Sequence, residues 1–215
     1  MLRLLSIGTA IASSPRLGFG PFLTKHKRII YMSTHPKQLL MKFTELSIKG
    51  AFLIEMEEHS DERGSFARQF CKKEMSKYGI AFDIKQCNIS KNYKSGVLRG
   101  LHCQKNPYPE TKMVSCVKGS CFDVIVDLRK DSPTYLKWQS FILSENNNKI
   151  LYIPGECAHG FQTLEDNTVL YYMAGEYFMP EYCSGIRWND PKIGVKWPEC
   201  KNRIMNARDK NYELL

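Results

Sequence analysis

The stretch Val97–Arg129 reads VLRGLHCQKNPYPETKMVSCVKGSCFDVIVDLR and consists of short apolar or alternating runs separated by turn residues. The same pattern continues upstream in ELSIKGAFLIEM (45–56) and downstream in WQSFILS, KILYIP and TVLYYM. Many short strands at spacings of about ten residues, with almost no long helical periodicity, indicate an antiparallel sandwich or barrel. The sequence therefore predicts an all-β domain with a few short helices, the clearest of them around Lys72–Tyr78.

The run CFDVIVDL (121–128) shows how such a strand divides its side chains. Residues alternate between the two faces of a strand, so one face is wholly apolar and the other carries Cys121, Asp123, Ile125 and Asp127. Lys118-Gly119-Ser120 separates this run from TKMVSCV (111–117). A short glycine-containing link between two strand-like runs predicts a hairpin turn.

Length and charge limit the chain to one domain and an appendage. The 215 residues, 43% of them hydrophobic, are enough for one well-buried domain. The net charge of +9 is uneven, because seven of the 31 basic residues and none of the 22 acidic ones precede Glu45. The remaining chain has 24 basic against 22 acidic residues and needs no nucleic-acid partner. We therefore predict a basic leader over 1–40 and a folded domain over 41–215.

The leader has three possible roles. It is free of acidic residues and contains Ser6, Ser13, Ser14 and Ser33, a composition typical of a mitochondrial transit peptide. Its apolar run Leu4–Ala12 is too short to span a bilayer, although it resembles a compressed secretory signal. A disordered tail upstream of a second start at Met32 is the third interpretation.

Cysteine usage favours a reducing compartment. The body contains eight cysteines with no CxxC pair, and several of them lie inside apolar runs, where a free thiol behaves as a small buried hydrophobe. We predict a cytoplasmic protein with no membrane partner, and mitochondrial import is the alternative. The cysteines are Cys71, Cys87, Cys103, Cys116, Cys121, Cys157, Cys183 and Cys200.

Two histidines, His102 and His159, are the only ones beyond position 59 and lie in strand-like segments. They could bind a metal, act in acid–base chemistry or pack as hydrogen-bonded core groups. A cupin-type metal site usually has an HxH pair, whereas His102 is followed by Cys103 and Gln104. Two ligands are too few for a tight site unless Glu110 or Cys157 joins them.

Charged residues near these histidines favour acid–base chemistry. Arg99, Lys112 and Asp123 lie in or beside apolar runs, where charge is costly unless it is paired or faces a cavity. In a regular strand Arg99 and His102 point to opposite faces. A bulge at Gly100 would bring both to one pocket.

These segments carry a resemblance to a known family. The motifs GVLRGLHCQ (96–104), FDVIVDLRKDSPTY (122–135), IPGECAHGFQTL (153–164) and GIRWNDPKIGVKWP (185–198) resemble the dTDP-4-dehydrorhamnose 3,5-epimerase family. DERGSFARQF, QCNIS and Lys112 extend the match, so that it covers about residues 45–212 in order. The resemblance implies a metal-free, cupin-like jelly roll, usually dimeric, that uses no cofactor and inverts carbons beside the C4 ketone of a nucleotide-linked sugar.

The resemblance also implies roles for individual residues. His102 would be the base, Lys112 would stabilise the enolate oxygen, and a tyrosine would return the proton from the opposite face. Counting back from Pro180 selects Tyr172 over Tyr171 as that acid. Asp209, in NARD (206–209), would pair with the base in preference to Asp190, and Asp123 would be an anchor for the cluster.

The implied substrate contacts are Arg63, Phe66, Arg68, Gln86, Asn88, Arg99, Lys112, His159, Phe178 and Arg208. Arginines suit the pyrophosphate, because their forked donors match its oxygens. Four positions depart from the family pattern: Arg68 and Cys183 replace a common Glu, Cys87 replaces Asp, and Phe178 replaces a Tyr that stacks on thymine. Phe178 can still stack, because stacking needs only the ring.

Three functions remain open from the sequence. The first is epimerisation at C3 and C5 of a dTDP-4-keto-6-deoxy-hexose, and the second is epimerisation at C3 alone of a related nucleotide sugar. The third is a non-catalytic or metal-binding cupin. The first two need the same base and acid, so the residues do not separate them.

Overall fold

The computed structural model describes residues 40–215, which form two facing antiparallel sheets and one separate hairpin. The first sheet has six strands in the order β1, β2, β10, β7, β12, β5, and the second has five in the order β13, β6, β11, β8, β9. This architecture confirms the predicted all-β jelly-roll sandwich. The predicted leader over 1–40 lies outside the described residues except for Leu40.

The strands are β1 (Met41–Glu45), β2 (Phe52–Met56), β3 (Glu58–Asp61), β4 (Gly64–Ala67), β5 (Gln86–Asn92), β6 (Leu98–Gln104), β7 (Lys112–Lys118), β8 (Ser120–Asp127), β9 (Trp138–Ser144), β10 (Lys149–Ile153), β11 (Cys157–Thr163), β12 (Thr168–Ala174) and β13 (Cys183–Gly185). The hairpin consists of β3 and β4. Two α-helices, α1 (Lys72–Ser76) and α2 (Ala207–Lys210), and a 3-10 helix (Pro180–Tyr182) complete the fold. The helix predicted around Lys72–Tyr78 is thus confirmed, with its end two residues earlier.

The core between the sheets is filled by alternate residues of facing strands. From the five-stranded sheet come Ile125 and Leu143, and from the six-stranded sheet come Val114, Leu151 and Leu170, all in one buried cluster. Burial of such side chains stabilises a sandwich by roughly 1.5–3 kcal/mol each. The alternation predicted for 121–128 is confirmed, because Cys121 and Ile125 face this core while Val124 and Val126 face outward.

Both outer faces are covered as well, which explains why the strands are apolar on two sides. Helix α1 and the segment after it place Met75 and Phe82 against the outer face of the six-stranded sheet. The C-terminal region places Ile193 and Trp197 against the outer face of the five-stranded sheet. Among residues 40–215, no helix is long and apolar enough to cross a membrane.

The turn Lys118-Gly119-Ser120 differs from its prediction. It joins β7 of the six-stranded sheet to β8 of the five-stranded sheet, and these two strands do not pair with each other. The predicted hairpin is therefore wrong, because the chain changes sheets at this glycine. A β-carbon on Gly119 would lie 2.7 Å from Thr168 Oγ1, so the crossing is tight enough to exclude a side chain.

Adjacent residues on β9 test the two-sheet packing. Leu143 is 0% exposed in the inner core, whereas its neighbour Ile142 is 46% exposed. We expect Leu143→Ala to lower the free energy of unfolding by about 2–5 kcal/mol, because it leaves a cavity in a packed core. Ile142→Ala is the matched control and should cost less than about 1 kcal/mol. Urea unfolding of both variants measures this, and equal losses would contradict the assigned facing of β9.

Candidate active site

A cavity of about 270 Å³ opens at one end of the sandwich, between the two sheets. His102 of β6 and His159 of β11 line one wall, and Lys112 of β7 and Tyr172 of β12 line the other. Four polar side chains that are far apart in the sequence therefore meet around one space. Convergent polar groups in a mainly apolar pocket are typical of a ligand site.

A bulge in β6 brings Arg99 and His102 to the same cavity. His159 pairs with His102 and Phe161 with Arg99, so three steps along β6 oppose two along β11. Gly100 has φ +122°, and a β-carbon there would lie 2.6 Å from the Cα of Gly160. Only a residue without a side chain fits this crossing of two backbones. The bulge predicted at Gly100 is confirmed.

His102 is hydrogen-bonded to Asp209, a carboxylate that is 0% exposed on α2. His102 Nε2 lies 2.8 Å from Asp209 Oδ1, and the Gly100 N–H donates to Oδ2 at 3.1 Å. Burial by itself would raise the pKa of the carboxyl. The hydrogen bonds from His102 and Gly100 outweigh that effect, so the pKa of Asp209 is below its ordinary value.

The ionised Asp209 determines which nitrogen of His102 can act as a base. A carboxylate only accepts hydrogen bonds, so the neutral imidazole places its proton on Nε2 and keeps a lone pair on Nδ1. Nδ1 has no hydrogen-bond partner within residues 40–215. When the imidazole is neutral, the geometry therefore leaves one of its nitrogens anchored and the other available.

His159 has a carboxylate partner of its own. Its Nε2 lies 2.9 Å from both carboxylate oxygens of Asp123, which is 0% exposed on β8. Asp123, expected as an anchor for the cluster around the base, contacts His159 and not His102. Asp127, the other acid on that face, is bonded by Arg129, Ser132 and Thr134 and holds the loop after β8.

The opposite wall holds a cation and a phenol. Lys112 Nζ lies 3.0 Å from Glu110 Oε2, and both side chains are largely buried. Burial, reinforced by the charge of Glu110, raises the pKa of Tyr172, so this phenol is protonated near neutral pH. Tyr171, its neighbour on β12, packs on the outer face of the sheet. The structure places Tyr172, and not Tyr171, at the cavity.

Several predicted substrate contacts lie at this site. Arg99, Phe178 and Arg208 line the cavity with His159 and Lys112. Gln86 accepts a hydrogen bond from the Phe178 N–H at 2.7 Å, so it orients the loop that carries this ring.

Asn92 and Asn88 of β5 are next to cavity residues, although neither lines the cavity itself. Arg99 Nε donates to Asn92 Oδ1 at 2.9 Å, which fixes the guanidinium against the end of the strand. Asn88 is paired directly with Tyr172 across β5 and β12. It therefore shares the inward face of the sheet with that phenol.

Three predicted contacts do not reach the cavity of their own chain. Arg63 and Phe66 lie on the β3–β4 hairpin, where Arg63 is paired with Asp61 and Phe66 is 68% exposed. Arg68 Nη1 lies 2.7 Å from Glu74 Oε1, at the start of α1.

Among the cavity residues that were not predicted from the sequence, Tyr212 and Gln104 make the most informative contacts. Tyr212 packs edge-on to His102, with ring centroids 6.1 Å apart. Gln104, 2% exposed, accepts from the Met179 N–H at 2.7 Å and donates to the Tyr177 carbonyl at 3.1 Å, which anchors the loop bearing Phe178. A glutamine inside an apolar strand was the available signal for Gln104, whereas the position of Tyr212 depends on how the C-terminal segment folds back.

The two histidines do not form a metal site with other side chains. Among residues 40–215, no three His, Cys, Asp or Glu side chains are grouped so that they could hold a metal ion. Glu110, considered as a third ligand from the sequence, is paired with Lys112. Cys157 is buried in the inner core, and burial raises the pKa of its thiol to about 12, which disfavours the thiolate that binds metals.

Fold and site together define a class of protein. A jelly-roll sandwich that holds an imidazole–carboxylate pair on one wall and a lysine and a protonated phenol on the other has the arrangement expected of a cupin-like enzyme that uses acid–base chemistry. Each element needed to remove a proton beside a carbonyl and to replace it is present.

Comparison with known proteins identifies the family. Residues 45–215 match the model for dTDP-4-dehydrorhamnose 3,5-epimerase. A protein of that name from Methanothermobacter thermautotrophicus is 40% identical over 176 residues, which are 81% of this chain and 94% of the relative. The chain belongs to the dTDP-4-dehydrorhamnose 3,5-epimerase family and is an isomerase by that membership.

Solved structures agree with this assignment. The epimerase from Bacillus anthracis, with TDP and PPi bound, has a TM-score of 0.79 and 39% identity, over 82% of this chain and 100% of that one. The 3,5-epimerase from Legionella pneumophila, in complex with dTDP-4-keto-L-rhamnose, has a TM-score of 0.78 and 34% identity, over 81% and 93% of the two chains. The similarity thus extends over the whole described sandwich.

Two buried aspartates, one bonded to His102 and one outside the cavity, test the dyad. We expect Asp209→Asn to lower kcat by about 10²–10⁴-fold, because an amide can donate to the imidazole and favour the wrong tautomer. Asp127→Asn is the matched control, because Asp127 is also 0% exposed but bonds Arg129, Ser132 and Thr134 and does not line the cavity. Steady-state kinetics of both variants measure the change in kcat. An Asp209→Asn enzyme as active as wild type would contradict the pairing.

Proposed function

We propose that this chain catalyses epimerisation at C3 and C5 of a dTDP-4-keto-6-deoxy-hexose, with His102 as the base and Tyr172 as the acid. The observation that supports this most strongly is the placement of these two side chains on opposite walls of one cavity. A proton removed from one side of a sugar ring and returned from the other inverts the carbon. A base and an acid on the same wall would return the proton to the face it left.

Proton removal beside a ketone also needs a group that stabilises the enolate. Such a C–H is too weakly acidic unless negative charge on the oxygen is compensated as it forms. Lys112 lies in the same cavity, and Glu110 at 3.0 Å orients its ammonium group. In this proposal the C4 oxygen receives a hydrogen bond from Lys112 while His102 takes the proton from C3 or C5.

The proton balance closes by exchange with solvent, because after each inversion the His102 imidazolium releases one proton to water and the Tyr172 phenolate takes one up. His102 gains the proton from carbon and becomes an imidazolium that Asp209 stabilises. Tyr172 donates a proton to the opposite face of the enolate, and the resulting phenolate is reprotonated from solvent. The raised pKa of Tyr172 suits this role, because the phenol stays protonated until the enolate forms.

The nucleotide part of the substrate would occupy the mouth of the cavity. Arg99 and Arg208 supply positive charge for a pyrophosphate, and Phe178, 59% exposed, offers a ring for a base to stack on. The relatives reported above carry TDP or a dTDP sugar, and we extend that ligand class to this chain.

We further propose that the enzyme works as a homodimer. Arg63 and Phe66 are implied as substrate contacts, yet they lie on an exposed hairpin outside their own cavity. A second copy of the chain related by two-fold symmetry would present the same hairpin to this cavity, and the exchange would be reciprocal.

Eight free thiols are compatible with the cytoplasmic location that we also propose.

Isotope exchange tests the proposed activity and the role of His102 as the base. In deuterated water, the wild-type protein should incorporate deuterium at C3 and C5 of dTDP-4-keto-6-deoxyglucose. Loss of the base in His102→Ala should reduce exchange by about 10²–10⁴-fold. Exchange at C3 alone would establish the 3-epimerase alternative, and no exchange at either carbon in the wild-type protein would refute the proposed activity.

The proton donor has a matched control on the same strand. We expect Tyr172→Phe to suppress net inversion more than initial proton loss, because the enolate still forms but lacks its donor. Tyr171→Phe removes the same hydroxyl from the outer face of β12 and should leave inversion intact. NMR of the product sugar, together with the rate of deuterium uptake, distinguishes the two. Full inversion by Tyr172→Phe would mean that another group supplies the proton.

Co-expression of two impaired variants tests the shared site. If Arg63 acts in the partner's cavity, a heterodimer of Arg63→Ala and His102→Ala has one intact site. Random pairing then makes about a quarter of all sites intact. His102→Ala with Tyr172→Phe is the control, because both lesions fall in the same cavity and neither heterodimer site is intact. Activity no greater than that of the separate variants would place Arg63 outside any shared site.

A further inference from the structure

Tyr212 lies in the cavity wall beside the base, and the proposed reaction gives it no part. Its ring centroid is 6.1 Å from that of His102, and the two ring planes meet at 70°. Within residues 40–215 its hydroxyl makes no hydrogen bond. The contact with the imidazole is therefore made by the ring itself.

The ring is held in a space that a glycine leaves open. Gly185 of β13 is paired with His102 of β6, and a β-carbon on Gly185 would lie 2.5 Å from Tyr212 Cε2 and Cζ. The phenol end of Tyr212 thus occupies the position where any other residue at 185 would place its side chain. This packing puts the ring directly next to the strand position of the base.

The backbone of the C-terminal segment fixes Tyr212 in that position. Arg187 Nε donates to the Tyr212 carbonyl at 2.7 Å, and the Leu215 N–H donates to Asp190 Oδ2 at 2.7 Å. Three residues earlier on the same segment, Asp209 holds His102 Nε2. One segment therefore makes both a hydrogen bond and a ring contact to the imidazole.

We propose that Tyr212 is a positioning residue that restricts rotation of the His102 imidazole about its Cβ–Cγ bond. The χ2 torsion of histidine is broad, so the hydrogen bond to Asp209 alone leaves the ring free to swing about that contact. A ring packed on the imidazole removes this freedom and keeps Nδ1 directed as the Asp209 bond requires. Displacing a catalytic group by about 1 Å can cost roughly 10²-fold in rate.

This inference rests on the proposed function. The substitutions are chosen so that failure of the inference can be distinguished from failure of the proposed function. Tyr212→Phe keeps the ring and removes the hydroxyl, whereas Tyr212→Leu keeps apolar volume and removes the ring. Leu214→Ala is the control on the same segment, since Leu214 is 52% exposed and does not line the cavity. Tyr212→Met provides a second ring-free variant in case Tyr212→Leu does not fold.

We expect Tyr212→Phe and Leu214→Ala to keep kcat within about twofold of wild type. Tyr212→Leu or Tyr212→Met should lose about 10–100-fold in kcat with KM changed less than about threefold, because binding is intact while the base is misplaced. Deuterium uptake at C3 should fall in parallel with kcat, while thermal melting shows whether the fold is kept.

Two results would overturn the proposal. An increase in KM with unchanged kcat in the ring-free variants would make Tyr212 a substrate contact. A Tyr212→Phe enzyme as slow as Tyr212→Leu would assign the effect to the hydroxyl. Failure of the wild-type protein to exchange deuterium at C3 or C5 is a different outcome, because it refutes the proposed function before any Tyr212 variant is compared.

Discussion

The Asp209 carboxylate is the contact on which the site depends, because it binds two groups of β6 at once. One oxygen accepts from the Gly100 N–H at 3.1 Å and the other lies 2.8 Å from His102 Nε2. The bulge at Gly100 turns a backbone donor towards α2, and the same carboxylate orients the base. Since Asp209 is 0% exposed, its charge is tolerated only because these donors surround it. The position of the C-terminal segment and the orientation of the base therefore depend on the same carboxylate.

The sandwich architecture places this dyad opposite the lysine and the phenol. His102 belongs to the five-stranded sheet, whereas Lys112 and Tyr172 belong to the six-stranded sheet. In the proposed reaction, a sugar between the sheets would meet the base on one face and the phenol on the other. Side chains packed on both outer faces support the two sheets that form the walls of the cavity.

Local patterns in the sequence were sufficient to predict much of this arrangement. The alternation in 121–128 separated the two faces of β8, and Gly100 indicated the bulge that joins Arg99 to His102. The turn at Gly119 was mispredicted, because a short glycine turn looks the same whether its strands pair or belong to different sheets. The partner of Asp123 and the place of Tyr212 depend on contacts between distant segments, which no local pattern contains. In the proposed homodimer, Arg63 and Phe66 act in the cavity of the partner subunit, and the pattern of a single chain carries no information about such a contact.

The central claim is that Asp209 fixes the proton of neutral His102 on Nε2 and leaves Nδ1 as the base. Nitrogen NMR of the protein labelled with ¹⁵N-histidine measures this directly, and the His102→Ala variant assigns the signal among five histidines. For the neutral imidazole, we expect a protonated Nε2 and an Nδ1 chemical shift typical of an unprotonated ring nitrogen. A proton on Nδ1 in the free enzyme, with Nε2 unprotonated, would contradict the account.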